Sequence, residues 1–296
     1  DDLPEDRAKK VSDLVWKEIM EIALIGSGVM GEAFIAGLLR NKLADAKQIV
    51  ASDPLKERRQ ALEEKYGIRT AARNVEAVST ADVLILAVKP QHVDKVISDL
   101  HGNIPDRTLV LSIVAGIPLQ YLQDGFAHAS IIRVMPNTPA QIGEGISVWT
   151  ASATVTDEQK QNAHEILTSL GPDVFMDDEV YLDMATALSG TGPAYAFMFM
   201  EAMIDAGVHM GFPRRIAEKL VIQTMRGSVE YYDSKKAHPA ELRNEVTSPG
   251  GTTAAALYYL EKAGFRTAIS RAIWAAYERS LELGRGRKSQ PPENGS

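Results

Sequence analysis

The chain has no cysteine. Disulfides, thiolate metal sites and cysteine nucleophiles are therefore excluded, and the composition fits a reducing, cytoplasmic setting. Metal-binding patterns are equally thin. His92, His101, His128, His164, His209 and His238 are scattered, with no HExxH and no close pair, so no metal is expected. No uncharged apolar run reaches the roughly 18 residues of a membrane helix. The nearest stretch, 193–212, carries Glu201, Asp205 and His209 at helical spacing and reads as a helix outside the membrane. Positive charge is in short supply too. A net charge of −7 argues against a nucleic-acid partner held by phosphate neutralisation. The start, DDLPEDRAKK, has no signal-peptide apolar region, so residues 1–19 are expected to form an added arm and 286–296 a frayed tail.

What is present is a globular text of 296 residues, 45% hydrophobic and 24% charged, long enough for two ordinary domains. From residue 21, short β-branched runs alternate with helical patterns. EIALIG (21–26), QIVASD (48–53), DVLILAV (82–88), TLVLSIVAG (108–116) and SIIRVMP (130–136) are candidate buried strands. VMGEAFIAGLLRN has helical spacing between the first two. PLKERRQALEEKYG predicts a further helix with Pro54 at its first position and Gly67 as its stop. This alternation predicts an α/β fold with a parallel sheet covered on both faces.

After about residue 178 no strand pattern remains, and the text is helical and rich in Ala, Met and Leu. The expected organisation is an arm (1–19), a dinucleotide-binding domain (20–180), an all-helical domain (181–285) and a tail (286–296). The helix at 193–210 is apolar nearly all round apart from its Glu201–Asp205–His209 stripe. It has to be buried on most sides, and a subunit partner is the economical way to do so, with a packed monomeric core as the alternative.

The segment IALIGSGVMGEAF places Gly26, Gly28 and Gly31 in a GxGxxG pattern directly after a strand and directly before a helix. Gly26 permits a tight turn, Gly28 lets the backbone approach a pyrophosphate, and Gly31 lets helix and strand pack closely. The intervening Ser27, Val29 and Met30 supply the helix N-terminal amides. Asp53 ends the second strand 22 residues after Gly31, where a carboxylate accepts hydrogen bonds from a ribose in NAD-binding folds. Two other readings stand beside this. Asp53 could be an N-cap before Pro54, and Ser52, Arg58 and Arg59 could hold the 2′-phosphate of NADP. Ligands of open α/β sheets bind outside the carboxyl ends of the strands. Ala87, Val88, Lys89 and Pro90, the segment from Ile113 to Gly116, and Met135-Pro136-Asn137 belong to that edge.

The chemistry is not alcohol oxidation of the β-hydroxyacid type. That reaction would place a catalytic lysine after the glycine motif ALSGTGPAYAF, and no lysine occurs between Lys160 and Lys219. The motifs GSGVMG (26–31), AVKP (87–90), RVMPNTP (133–139), SGTGPAYAF (189–197) and TSPGGTT (247–253), in this order, resemble the Δ1-pyrroline-5-carboxylate reductases from about residue 20 to 284. The last two motifs are the specific ones.

The resemblance implies a Rossmann domain followed by an all-α dimerisation domain, a homodimer often assembled as five dimers, and an active site between the Rossmann domain of one subunit and helices of the dimer pair. It implies hydride transfer from NADP(H) or NAD(H) to the C=N carbon of 1-pyrroline-5-carboxylate, giving L-proline. It assigns Asn74, Ala87, Val88, Lys89, Pro90, Ile113 and Ala115 to the cofactor. Ser248, Gly251, Thr252 and Thr253 would hold the substrate carboxylate, with the Thr253 hydroxyl at the ring nitrogen as the catalytic contact. A helix start with exposed N–H groups suits an anion, although an ordinary Ser or Thr N-cap would leave the same text. Tyr195 is either a pocket wall or a core aromatic. Where family members often read SGSGP, this chain has Thr191 in SGTGP. The rivals are a reductase of a different cyclic imine and a non-catalytic, dinucleotide-sensing oligomer.

Overall fold

The computed structural model describes residues 20–285; the arm expected at 1–19 and the tail at 286–296 lie outside the described residues. Eight strands form one sheet: β1 (Ile22–Ile25), β2 (Ile49–Ser52), β3 (Arg69–Ala71), β4 (Val83–Leu86), β5 (Leu109–Ser112), β6 (Ile131–Met135), β7 (Ser147–Ala151) and β8 (Asp173–Phe175). Their order is β3-β2-β1-β4-β5-β6-β7-β8. The helices interleaved with them are α1 (Val29–Arg40), α2 (Lys56–Tyr66), α3 (Asn74–Val78), α4 (Val93–Leu100), α5 (Leu119–Phe126), α6 (Asp157–Thr168) and α7 (Val180–Ala185).

The strands are apolar on both faces because both faces are covered. In β1, Ile22 and Leu24 join one core with Phe34 and Leu38 of α1, Leu62 of α2 and Ile166 of α6. Ala23 and Ile25 point the other way, to Val96 and Leu100 of α4 and Phe126 of α5. A side-chain period of two sends alternate residues to opposite layers, so a strand buried on both sides reads as an unbroken apolar run.

The sheet departs from the expected all-parallel arrangement at one place: β7 runs antiparallel to β6. The link between them holds only a 3-10 turn, Thr138–Ile142. Without a crossover helix the chain can only turn back. A second departure concerns α2, which starts at Lys56 with Leu55 as N-cap, two residues beyond Pro54. The Asp53 carboxylate accepts the Leu55 N–H at 2.9 Å, and this turn delays the helix. Gly67, in the left-handed region at φ 68°, closes it as expected.

Contacts divide the described residues after Gly190, with residues 276–285 returning to the first unit. Arg133 explains why α7 stays with the sheet. Its side chain, buried within β6, donates to Glu179 Oε1 at 2.8 Å and to Asp183 Oδ1 at 3.3 Å. Glu179 also accepts the Leu119 N–H at the start of α5, and Asp183 the Ser280 hydroxyl at 2.6 Å.

The second unit, Thr191–Ala275, is helical. It holds α8 (Gly192–His209), α9 (Arg214–Lys235), α10 (Pro239–Glu245), α11 (Thr252–Lys262) and most of α12 (Phe265–Arg285). α8 meets α9 where Gly207 faces Ala217, and a Cβ at Gly207 would lie 3.1 Å from that of Ala217. Elsewhere α8 is open: Phe197 is 61% and Met198 74% exposed. The chain's own core therefore does not bury this helix, which removes the monomeric alternative. Among the described residues no helix is long and apolar enough to cross a membrane.

Arg133→Met should destabilise the first unit by about 3 kcal/mol, because removing one partner leaves half-buried carboxylates uncompensated. Urea unfolding would measure it, and an unchanged midpoint would show that the Arg133 cluster contributes nothing.

Candidate active site

The site begins where the strand order reverses. β1 lies between β2 and β4, and the chain winds outward in opposite directions from it. The Gly26 N–H donates to the Ser52 carbonyl at 3.1 Å and the Ala87 N–H to the Ile25 carbonyl at 2.8 Å, so three strand ends are tied together. Gly26 turns with φ 89°, and a Cβ on it would lie 2.7 Å from Val88 Cγ1. Gly31 is tighter: a Cβ there would fall 2.2 Å from the Gly26 carbonyl oxygen. Gly28 is the N-cap of α1, and no side chain caps this helix. Nothing lies within 4 Å of where its Cβ would be. Bare amides at a helix N-terminus, facing open space over a glycine, fit a pyrophosphate.

A cleft of about 710 Å³ opens at this edge. Gly26, Ser27, Gly28, Ser52, Asp53, Asn74, Ala87, Val88 and Lys89 line it. Arg73, His92, Lys95 and Asp99 do as well, and the sequence reading missed all four. Lys95 and Asp99 had a signal, since their i,i+4 spacing puts both on one face of α4. The remaining expected cofactor residues lie outside this lining. Val29 starts α1 and is exposed, Met30 packs against the core, and Pro90 opens a 3-10 turn. Ile113 packs on the core, and Ala115 is half-buried beyond β5. Asn137 has its amide engaged, donating to the Ser189 carbonyl at 3.2 Å and accepting the Ile146 N–H at 2.9 Å.

Polar groups around the cleft are closely paired. Asp53 Oδ2 accepts the Ser27 hydroxyl at 2.7 Å and its N–H at 3.4 Å. Ser52 donates to Asn74 Oδ1 at 2.8 Å, and Asn74 donates to Asp99 at 3.0 Å. Arg58 donates to the Ser27 carbonyl and, at 2.5 Å, to Glu32. Arg59 donates to the carbonyls of Asp53 and Pro54 at 2.7 and 3.1 Å. Burial pushes the Glu32 carboxyl up, but hydrogen bonds from Lys65, Arg58 and Tyr66 outweigh it and hold it at about 2.

The TSPGGTT segment lies in the second unit. Its helix, α11, begins at Thr252 with Gly251 as N-cap and no side-chain cap. The Gly251 N–H donates to the Ser248 carbonyl at 3.0 Å, and a Cβ on Gly251 would lie 2.4 Å from Ser248 Oγ. A serine hydroxyl and uncapped amides thus sit at one helix mouth, with Thr252 exposed and Thr253 half-buried beside them.

A doubly wound sheet with a glycine turn at its switch point defines a dinucleotide-dependent oxidoreductase. The chain is 43% identical to a pyrroline-5-carboxylate reductase of Synechocystis sp., over 90% of this chain and 99% of that one. It belongs to the pyrroline-5-carboxylate reductase family. A Pseudomonas aeruginosa enzyme of the same name is 41% identical over 88% of this chain and 96% of its own length. Residues 179–283 match the family described as pyrroline-5-carboxylate reductase dimerisation, and 21–116 the one described as NADP oxidoreductase, coenzyme F420-dependent. Among solved structures, a Plasmodium falciparum pyrroline carboxylate reductase with NADP bound superposes with a TM-score of 0.83 at 31% identity. It covers 90% of this chain and 99% of that one.

Gly28→Ala separates folding from cofactor binding. The new methyl meets no atom of the protein, so stability should change by less than about 1 kcal/mol. It points into the space over the helix mouth, and dinucleotide affinity should fall about tenfold or more, read by equilibrium titration. Undiminished affinity would show that the pyrophosphate lies elsewhere.

Proposed function

We propose that this chain is a pyrroline-5-carboxylate reductase that converts 1-pyrroline-5-carboxylate to L-proline. The observation that carries the reading is the pairing of a switch-point dinucleotide cleft with an uncapped helix start at Gly251, in a chain of this family. NADH or NADPH, when bound, supplies a hydride to the C=N carbon. The first amides of α1, opened by Gly28, would hold its pyrophosphate, with Ser27 fixing the turn beneath them, and Ala87 to Lys89 line the cleft further along.

The substrate asks for a grip on one carboxylate and a partner for one nitrogen. Ser248 and the first amides of α11 suit the carboxylate, because an uncapped helix N-terminus offers donors and a partial positive charge. The substrate nitrogen arrives protonated, and the Thr253 hydroxyl oxygen accepts its N–H. Reduction turns that nitrogen from iminium to amine without a protein base, which agrees with a helical unit that offers no lysine at its glycine motif.

We further infer a homodimer built through α8, with Phe197 and Met198 covered by the second chain, and five such dimers in the particle. Light scattering should return the mass of ten chains; two chains would remove the decamer, and one chain would remove the dimer.

Steady-state reduction of 1-pyrroline-5-carboxylate, followed at the nicotinamide absorbance, tests the activity. Turnover is expected, and a folded protein that binds dinucleotide without turnover would reassign it to another imine. Thr253→Ala should lower kcat/KM about 10- to 100-fold, the loss of one hydrogen bond to a charged group. An unchanged kcat/KM would remove Thr253 from the site.

A further inference from the structure

The adenosine end of the cleft carries an unusual balance of donors and acceptors. The Asp53 carboxylate stands at the end of β2, fixed by the Ser27 hydroxyl at 2.7 Å and the Leu55 N–H at 2.9 Å. The Ser27 N–H is also directed at Oδ2, at 3.4 Å, so of about four lone-pair sites one remains, on Oδ1, for a ribose hydroxyl. Part of the neighbouring donor capacity is engaged by the protein itself. Ser52 gives its proton to Asn74, and one of the two Asn74 amide protons goes to Asp99. Arg59 is folded onto the carbonyls of Asp53 and Pro54.

Arg58 is the telling case. It contacts Ser27, the same residue that Asp53 grips, so it is within a side chain's reach of the ribose end. Yet Nε and Nη2 donate to the Ser27 carbonyl at 2.7 and 2.5 Å, and Nη2 also donates to Glu32 Oε2 at 2.5 Å. Glu32 stays ionised to low pH, gripped in addition by Lys65 and Tyr66 at 2.7 and 2.9 Å. Two of the three guanidinium nitrogens that could meet a 2′-phosphate are thereby committed to protein oxygens.

We propose that this cleft selects NADH over NADPH through two residues with separate tasks: Asp53 accepts a ribose hydroxyl, and Glu32 withholds Arg58 from the 2′ position. A ribose hydroxyl brings a donor to the remaining Asp53 acceptor site. A 2′-phosphate brings about −1.5 to −2 charges and only acceptors, set against Asp53 and Asp99. Asp53 is a binding residue; Glu32 is a positioning residue that acts through Arg58. The inference rests on the dinucleotide half of the reductase reading and not on the substrate. Three cations oppose it, since Arg73, Lys89 and Lys95 also line the cleft. Arg73 is 71% exposed with Glu76 at 3.5 Å, so solvent screens its charge and it adds little to a phosphate.

The test is equilibrium binding of NADH and NADPH to the full chain with no imine present, beside turnover measured separately. The wild type should bind NADH at least about tenfold more tightly, the worth of a charged hydrogen bond. Asp53→Ser should erase that ratio by weakening NADH. Glu32→Ala should shift the affinity ratio severalfold towards NADPH, over and above any loss common to both from a loosened turn, whereas a merely structural Glu32 would weaken both equally. Arg73→Ala should leave the ratio where it is.

A wild type that favours NADPH or treats both alike would overturn the proposal. So would an unchanged ratio in Asp53→Ser, equal losses in Glu32→Ala, or a selective NADPH loss in Arg73→Ala. If Asp53→Ser does not fold, wild-type binding of AMP against adenosine 2′,5′-bisphosphate decides: preference for AMP supports the assignment, and preference for the bisphosphate overturns it. NADH binding without imine turnover would sink the activity and leave the selectivity standing.

Discussion

No side chain fits between Gly31 and the carbonyl oxygen of Gly26, and the cofactor half of the molecule is built on that constraint. With only 2.2 Å available to a Cβ, the first turn of α1 rests directly on the end of β1. Its unsatisfied amides then open at the place where the sheet reverses its winding direction. The same contact sets Gly26 against Ser52 and Val88, so β2 and β4 deliver their own ends to one cleft. A helix displaced by even a methyl group would aim its dipole elsewhere.

Around that backbone contact, charge holds the loop still. Ser27 is fully buried, and each of its polar groups has a partner: hydroxyl and N–H on Asp53, carbonyl on Arg58. Arg58 in turn reaches Glu32 one turn into α1, where Lys65 and Tyr66 of α2 complete the cage. The glycine turn is thus gripped from β2, α1 and α2 at once. Fixing it before a ligand arrives moves the ordering cost from binding to folding, which is what preorganisation means in energetic terms.

How much of this could be read beforehand depends on how far apart the partners lie. The strands β1, β2, β4, β5 and β6 are short apolar runs and legible as such. β3 and β8 have three residues each and no run to see, and β7, SVWTA, alternates instead. The glycine pattern is local, so its turn and cleft were legible. Arg58 and Arg59 looked like phosphate holders because nothing nearby shows that Glu32, 26 residues earlier, and the local carbonyls claim them. Asn137 is at its strand end as read, but its amide belongs to Ser189, 52 residues on. For the same reason α7 reads with the helices after it, while the buried Arg133 binds it to the sheet.

The second unit obeys a different constraint. Its helices approach closely only where small residues allow it, as Gly207 allows Ala217, and its largest side chains point outward. Phe197, Met198, Tyr258, Tyr259 and Trp274 are all more than half exposed in the single chain. A helical unit stabilised by burial cannot leave that much apolar surface in water and stay rigid. The turn at Ser248–Thr253 belongs to this unit, so its order depends on whatever covers those side chains. The substrate grip proposed for this helix mouth requires it to be held still, so on that reading association and substrate recognition draw on the same buried surface.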